Sequence, residues 1–140
     1  MTKEEVNLVK KSWRIFQQIN PELVGDVFYG NLFAAHPALR KMFPADMHAQ
    51  YQKLVDMISS IVQRLDRLHL VETDIIELAQ RHVEYGVRPA HYAMVGKALI
   101  ITLEQGLGRD WTPAMANAWQ HCYQTLASAM LTAAYGDAVN

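Results

Sequence analysis

The chain has 140 residues, of which 51% are hydrophobic and 19% charged, with a formal net charge of −1 and a single cysteine, Cys122. This length predicts one domain over residues 1–140, large enough to enclose a ligand, and the lone cysteine with no secretory signal favours a cytoplasmic setting. The balanced charge argues against nucleic-acid binding, and no apolar run approaches the roughly 18–20 residues that span a bilayer.

The predicted elements begin with two helices near the N-terminus. Thr2 and Glu5 have the spacing of a capping box, in which the hydroxyl accepts a backbone N–H and the carboxylate reaches back. Asn20 followed by Pro21 predicts the start of the second helix. That helix should end just before Pro37, because a residue that precedes proline is pushed out of the helical region.

Three further elements are expected in the middle of the chain. A short helix is predicted over residues 37–43, and a long helix should run from about residue 50 to about Leu68. Asp74 and Glu77 form a possible cap pair, which would open a helix from Asp74 to Glu84.

Two longer helices complete the predicted set. Pro89 opens the first, and the glycines in residues 106–108 stop it. Thr112 and Pro113 open the second, and Gly136 is its natural end. No β alternation is present, so the sequence predicts an all-α protein of about seven unequal helices. Helices of unequal length do not suit a regular four-helix bundle.

His82 is the first candidate functional residue. It lies late in the predicted Asp74–Glu84 helix, just before a break at Gly86. A neutral imidazole is a good ligand for iron, and haem iron is often held by one histidine. A lone helical histidine is more often an ordinary surface or core residue, so the surrounding motifs decide between these interpretations.

A set of motifs accompanies His82 in a fixed order. They are FYGNLF at 28–33, HPALRKMF at 36–43, QYQKL at 50–54, HVEYGV at 82–87, PAHYAMVG at 89–96, and Trp119 with Tyr123. In this order they resemble the globins, and within them the bacterial single-domain globins and the globin domain of flavohaemoglobins. The resemblance covers about Val6 to about Ala134. It implies a globin fold, a three-over-three helical sandwich around haem b.

The resemblance implies a proximal side built on His82. This residue would bind the iron, its other ring nitrogen would donate to the Leu78 carbonyl, and Phe43 would stack on the haem. Further implied contacts with the cofactor come from Leu78, Val87, Tyr92 and Val95, and Lys53 and Arg88 are candidate partners of the propionates. Phe43 could instead be an ordinary core aromatic, and the two cations could be ordinary solvated charges.

The resemblance also implies a distal side, where Tyr29 and Gln50 would donate hydrogen bonds to bound dioxygen and Leu54 would close the pocket. Each such bond contributes roughly 0.5–1.5 kcal/mol, and up to about 3 kcal/mol with a charged acceptor, so slow oxygen release is expected. The alternatives are that Tyr29 points to solvent and that Gln50 is a surface residue. Gln50 in place of histidine argues against two-histidine ligation, and His48 would reach the iron only after a rearrangement.

One departure from the flavohaemoglobin pattern concerns the proximal histidine. Those relatives have a glutamate near the end of the last helix that acts with a tyrosine on this histidine. Tyr92 is present here, but Ala134 stands at the position of the glutamate. A nearly neutral imidazole is therefore expected, suited to holding oxygen rather than splitting the O–O bond.

The resemblance leads to two functional hypotheses and a weaker third. The first is reversible binding of dioxygen, nitric oxide and carbon monoxide, serving nitric oxide detoxification to nitrate with a separate reductase as electron donor. The second is a non-catalytic carrier, store or sensor of oxygen. The third, a helical partner-binding protein of the same fold without haem, is disfavoured by the combination of His82 and Phe43.

Overall fold

Six α-helices dominate residues 1–136, the part of the chain that this computed structural model describes. They are α1 (Lys3–Phe16), α2 (Pro21–Ala35), α3 (His48–Gln63), α4 (Glu72–Glu84), α5 (Pro89–Leu107) and α6 (Pro113–Tyr135). Short 3-10 segments cover Pro37–Met42, Leu65–Val71 and Gly108–Asp110, and the described residues contain no strand. The predicted all-α class is confirmed.

Local capping fixes several of the helix ends. The Thr2 hydroxyl accepts from the Glu5 amide at 3.1 Å and the Glu5 carboxylate accepts from the Thr2 amide at 2.9 Å, which confirms the predicted capping box. The side chains of Asn20 and Thr112 each accept a backbone N–H from the first turn of α2 and α6. Gly136 ends α6 with a φ of 78°, as its position predicts.

The predicted end of α3 is wrong. The helix ends at Gln63 rather than near Leu68, and a 3-10 segment follows. Within that segment Arg67 has non-helical angles (φ −137°, ψ 38°), so the helical stripe cannot continue through it. The irregular backbone instead brings both Leu65 and Val71 into the core.

Two more predicted boundaries near the site need correction. α4 begins at Glu72 rather than Asp74, and its first turn has no side-chain cap, so the expected Asp74–Glu77 cap pair does not form. The 3-10 segment leads directly into α4, and no separate capping turn intervenes. The short helix predicted over residues 37–43 is a 3-10 segment that ends at Met42, because Phe43 precedes Pro44 and is extended (φ −121°, ψ 154°).

The core consists of two clusters of buried side chains. The larger joins α1, α2 and α3 to parts of α5 and α6, and it includes Trp13 and Trp119. The smaller joins Leu65–Val71 and α4 to the start of α5 and the end of α6, and it includes Tyr92 and Met130. Helix α3 packs mainly on α2, whereas α4 packs mainly on α6. Helices α3 and α4, which carry Gln50 and His82, thus pack on different neighbouring helices.

Candidate functional site

A cavity of about 140 Å³ lies between α3 and α4. Apolar side chains from both helices border it, Met57 and Ile61 from α3 and Ile75 and Leu78 from α4. Polar groups enter its wall through Ser60, Arg64 and Asp74. An apolar crevice between two helices is a usual setting for a cofactor.

Several of the predicted site residues lie on α3 and α4, the helices that border this cavity, whereas Tyr29 lies on α2 and Phe43 follows the first 3-10 segment. Leu54 and Gln50 precede Met57 by three and seven residues on α3, and His82 follows Leu78 by four residues on α4. Residues three, four or seven apart share one face of a helix. Gln50, Leu54 and His82 therefore extend these two helix faces beyond the cavity itself, whose lining includes Leu78 but not these three residues.

His82 is half-buried near the end of α4. Its Nδ1 lies 2.7 Å from the Leu78 carbonyl oxygen, the contact that the sequence predicts. A carbonyl only accepts, so Nδ1 of the neutral ring carries the proton and Nε2 has a free lone pair. The ring of Tyr85, 63% exposed, lies 6.0 Å from the imidazole. This arrangement leaves Nε2 as a candidate metal ligand with a fixed tautomer.

Tyr29 and Gln50 are brought together in the fold. Tyr29 is only 5% exposed, which excludes the alternative that it points to solvent. Nε2 of Gln50 donates to the Tyr29 hydroxyl oxygen at 2.9 Å, so the phenol keeps its own O–H for another acceptor. Burial raises the pKa of the Tyr29 phenol above 10.0, and the bond from Gln50 opposes this shift. The hydroxyl is therefore protonated at neutral pH.

An aromatic cluster surrounds Tyr29. Its ring centroid lies 4.9, 5.7, 5.2 and 5.9 Å from the centroids of Phe28, Phe33, Phe43 and Tyr51 respectively. Phe43 meets Tyr29 edge to face and is half-buried, so part of its ring stays open. Phe43 is thus both a member of the core and a side chain with an accessible surface.

The predicted proximal contacts lie around the α4–α5 turn. The hydroxyl of Tyr135 donates to the Val87 carbonyl at 2.5 Å, which ties the end of α6 to this turn. Tyr92 is buried, burial raises its pKa, and its hydroxyl has no hydrogen-bond partner among residues 1–136. Ala134 packs against the same cluster and supplies no polar group. Val95 is half-buried against the larger cluster.

The charged and histidine candidates lie at the surface. Lys53 and Arg88 are exposed. His48 is exposed and pairs with Glu22 across the start of α3. Leu54, in contrast, is buried in the larger cluster. Within residues 1–136, no helix is long and apolar enough to cross a membrane, and no group of three or more His, Cys, Asp or Glu side chains is placed to hold a metal.

Tyr51 is not among the residues predicted from the sequence. Its ring packs on Gly25 of α2 and its hydroxyl donates to Asp26 at 3.3 Å. The available signal is a glycine inside a predicted helix, one turn before Tyr29, which often marks a close approach of another element. A wider cavity of about 690 Å³ lies beside Tyr29 and Tyr51. Neither cavity is lined by His82 or Gln50. Tyr29 borders the wider one, and Leu78 borders the one between α3 and α4.

Comparison with known proteins places this geometry in a family. A family model described as Globin matches residues 26–130. The flavohemoprotein of Bacillus subtilis (strain 168) is 26% identical over 129 residues, which cover 90% of this chain and 32% of that protein. Neuroglobin-1 of Oncorhynchus mykiss is 26% identical over 146 residues, which cover 93% of this chain and 90% of that protein. The chain thus spans about a third of the flavohemoprotein.

A solved structure supports the same fold. The bacterial globin from Campylobacter jejuni superposes with a TM-score of 0.82 at 24% identity, covering 95% of this chain and 96% of that one. The matched range of the family model is most of the chain and contains Tyr29, Phe43, Gln50 and His82. The chain belongs to the globin family.

Proposed function

We propose that this globin binds haem b through His82 and takes diatomic gases on the opposite side of the cofactor. Globins bind haem, and the residues present fit it. The Nδ1 of His82 donates to the Leu78 carbonyl and leaves Nε2 to face a metal, and α3 and α4 border an apolar crevice through Met57 and Leu78. When bound, haem supplies an iron that takes dioxygen, nitric oxide or carbon monoxide.

The observation that carries the proposal is the hydrogen bond from Gln50 to Tyr29. The amide donates to the phenol oxygen and leaves the phenol O–H free to donate to a bound gas ligand. A hydroxyl that accepts one hydrogen bond becomes a stronger donor in a second, because the first bond polarises its O–H. The buried, protonated Tyr29 thus offers a hydrogen bond to a partly negative ligand. Leu54, on the same face of α3 as Gln50, adds apolar surface.

The finer function that we propose is nitric oxide detoxification, in which nitric oxide and dioxygen give nitrate and a separate reductase returns electrons. A strong phenol donor slows the release of oxygen, and slow release favours consumption over delivery. Near-neutral character of the His82 imidazole, whose Nδ1 donates to a carbonyl rather than a carboxylate, supports holding oxygen over splitting it. A cytoplasmic setting, where such a reductase is found, is part of this proposal.

The test is to mix the oxygenated protein with nitric oxide and to measure nitrate. One nitrate per haem within the mixing time is expected, and the Tyr29→Phe variant should give less, since its oxygen escapes faster. Slow or absent nitrate, together with fast oxygen release by the parent protein, would instead establish a carrier or store and would refute the detoxification proposal.

A further inference from the structure

We propose that Tyr51 is a positioning residue for the Tyr29 phenol. Gly25 leaves the space in which the Tyr51 ring packs on α2. Neither Tyr51 nor Gly25 lines the α3–α4 cavity. The effect of Tyr51 on gas binding rests on the proposed function, whereas its effect on the position of the Tyr29 ring does not depend on that function.

Helices α2 and α3 approach each other closely at Gly25. A Cβ added at Gly25 would lie 2.4 Å from Tyr51 Cβ and 2.6 Å from Tyr51 Cγ, closer than side-chain carbons approach. Only glycine at this position allows the ring to lie against the α2 backbone. The Tyr51 hydroxyl also donates to Asp26 Oδ1 at 3.3 Å, one residue along the same helix. Tyr51 is therefore held at both ends by α2.

The Tyr51 ring contacts Tyr29 directly. The two ring planes lie 27° apart with centroids 5.9 Å apart, an offset stack. Phe33 lies nearly parallel to Tyr29 as well, at 5.7 Å and 30°. Gln50, the residue before Tyr51, donates to the Tyr29 hydroxyl. One turn of α3 thus fixes both the ring plane of Tyr29 and the position of its oxygen.

Two substitutions separate stacking from the hydroxyl anchor. Tyr51→Leu removes the stacked ring, and we expect oxygen release to become about two- to ten-fold faster because the phenol donor loses alignment. The C–O stretching frequency of the carbonyl complex should rise and its band broaden. Tyr51→Phe keeps the stack and should restore the parent band and a release rate within about two-fold.

A matched pair of glycine variants controls for general destabilisation. Gly25→Ala should displace Tyr51 and reproduce the spectral change of Tyr51→Leu. Gly96→Ala makes the same kind of clash, since its Cβ would lie 2.5 Å from the Tyr123 ring. Tyr123 is not one of the four rings packed on Tyr29. Gly96→Ala should therefore lower the melting temperature without changing the C–O band. An unchanged band in both Tyr51→Leu and Gly25→Ala would overturn the proposal.

A measurement on the haem-free protein keeps the two proposals distinguishable. The side-chain amide signals of Gln50 in a ¹H–¹⁵N spectrum report its bond to Tyr29. They should shift in Tyr51→Leu and stay in place in Gly96→Ala. If the parent protein takes up no haem, the proposed function fails, while a shift of the Gln50 signals still supports the role of Tyr51. Unshifted Gln50 signals in Tyr51→Leu would refute that role whatever the protein binds.

Discussion

Replacing Tyr29 by phenylalanine removes the hydroxyl on which the proposed gas site depends. The ring and its four aromatic neighbours stay, so the core keeps nearly all of its buried apolar surface. Two hydrogen bonds are lost: the one that the phenol donates to the ligand and the one that it accepts from Gln50 at 2.9 Å. Any kinetic change therefore reports the hydroxyl rather than packing.

The size of the effect follows from the environment of that hydroxyl. A hydrogen bond contributes about 0.5–1.5 kcal/mol, and about 1.5–3 kcal/mol when the acceptor is charged. Tyr29 is 5% exposed and the gas ligand carries partial negative charge, so the upper half of this range applies. About 1.4 kcal/mol corresponds to a factor of ten, and we expect oxygen release to be roughly ten-fold faster or more. The freed Gln50 amide can turn to the ligand, which limits the loss.

The assay is displacement of oxygen by carbon monoxide in a stopped-flow instrument. Tyr29→Phe, Gln50→Leu and the double variant form a cycle, and a coupling of about 0.5 kcal/mol or more is expected because the two side chains are in contact. Tyr123→Phe, which removes a hydroxyl that donates to the Tyr92 carbonyl, is the matched control. A release rate for Tyr29→Phe within two-fold of the parent would refute the assignment of the phenol as a donor.

Three further predictions concern other buried polar groups. Burial raises the pKa of the Cys122 thiol from 9.0 to about 12, so the thiol should react with Ellman's reagent only after unfolding. Rapid reaction of the native thiol would contradict this. Its contribution to the free energy of unfolding should be complete below about pH 9 and should be lost as the pH rises toward 12. Ser12→Ala leaves the buried Trp119 Nε1–H without its acceptor at 2.8 Å. The free energy of unfolding, measured in urea, should fall by about 1–3 kcal/mol. A fall of less than about 0.5 kcal/mol would show that the bond is unimportant. Tyr92→Phe removes a hydroxyl without a partner in residues 1–136 and should leave the free energy of unfolding unchanged or higher; a loss above about 1 kcal/mol would show that the hydroxyl is satisfied.

Much of the fold is predictable because its helix starts are local. The Thr2–Glu5 box and the capping residues Asn20 and Thr112 act within one turn, so their sequence spacing is enough to place them. The end of α3 is different. Leu65 and Leu68 continue the apolar stripe of that helix, yet α3 ends at Gln63 and the backbone is non-helical at Arg67. Packing of this segment against α1 and α4 decides the backbone there.

The candidate site shows the same division. The bond from His82 to the Leu78 carbonyl is predictable because it spans a single helical turn. The contact between Gln50 and Tyr29 joins two helices, and only the family resemblance puts those residues together before the fold is known. The packing of Tyr51 on Gly25 depends on how closely α2 and α3 approach. A glycine inside a predicted helix indicates such an approach but does not identify the side chain that packs on it.

The central claim is that His82 holds the haem iron, and haem titration of the purified parent, His82→Gly and His69→Gly proteins tests it most directly. His69 is an exposed histidine outside the crevice and serves as the control. The parent and His69→Gly should give an intense Soret band that shifts with carbon monoxide. His82→Gly should lose the carbonyl spectrum of a histidine-ligated haem and regain it when imidazole is added. A His82→Gly protein with the parent spectrum in the absence of imidazole would contradict the account.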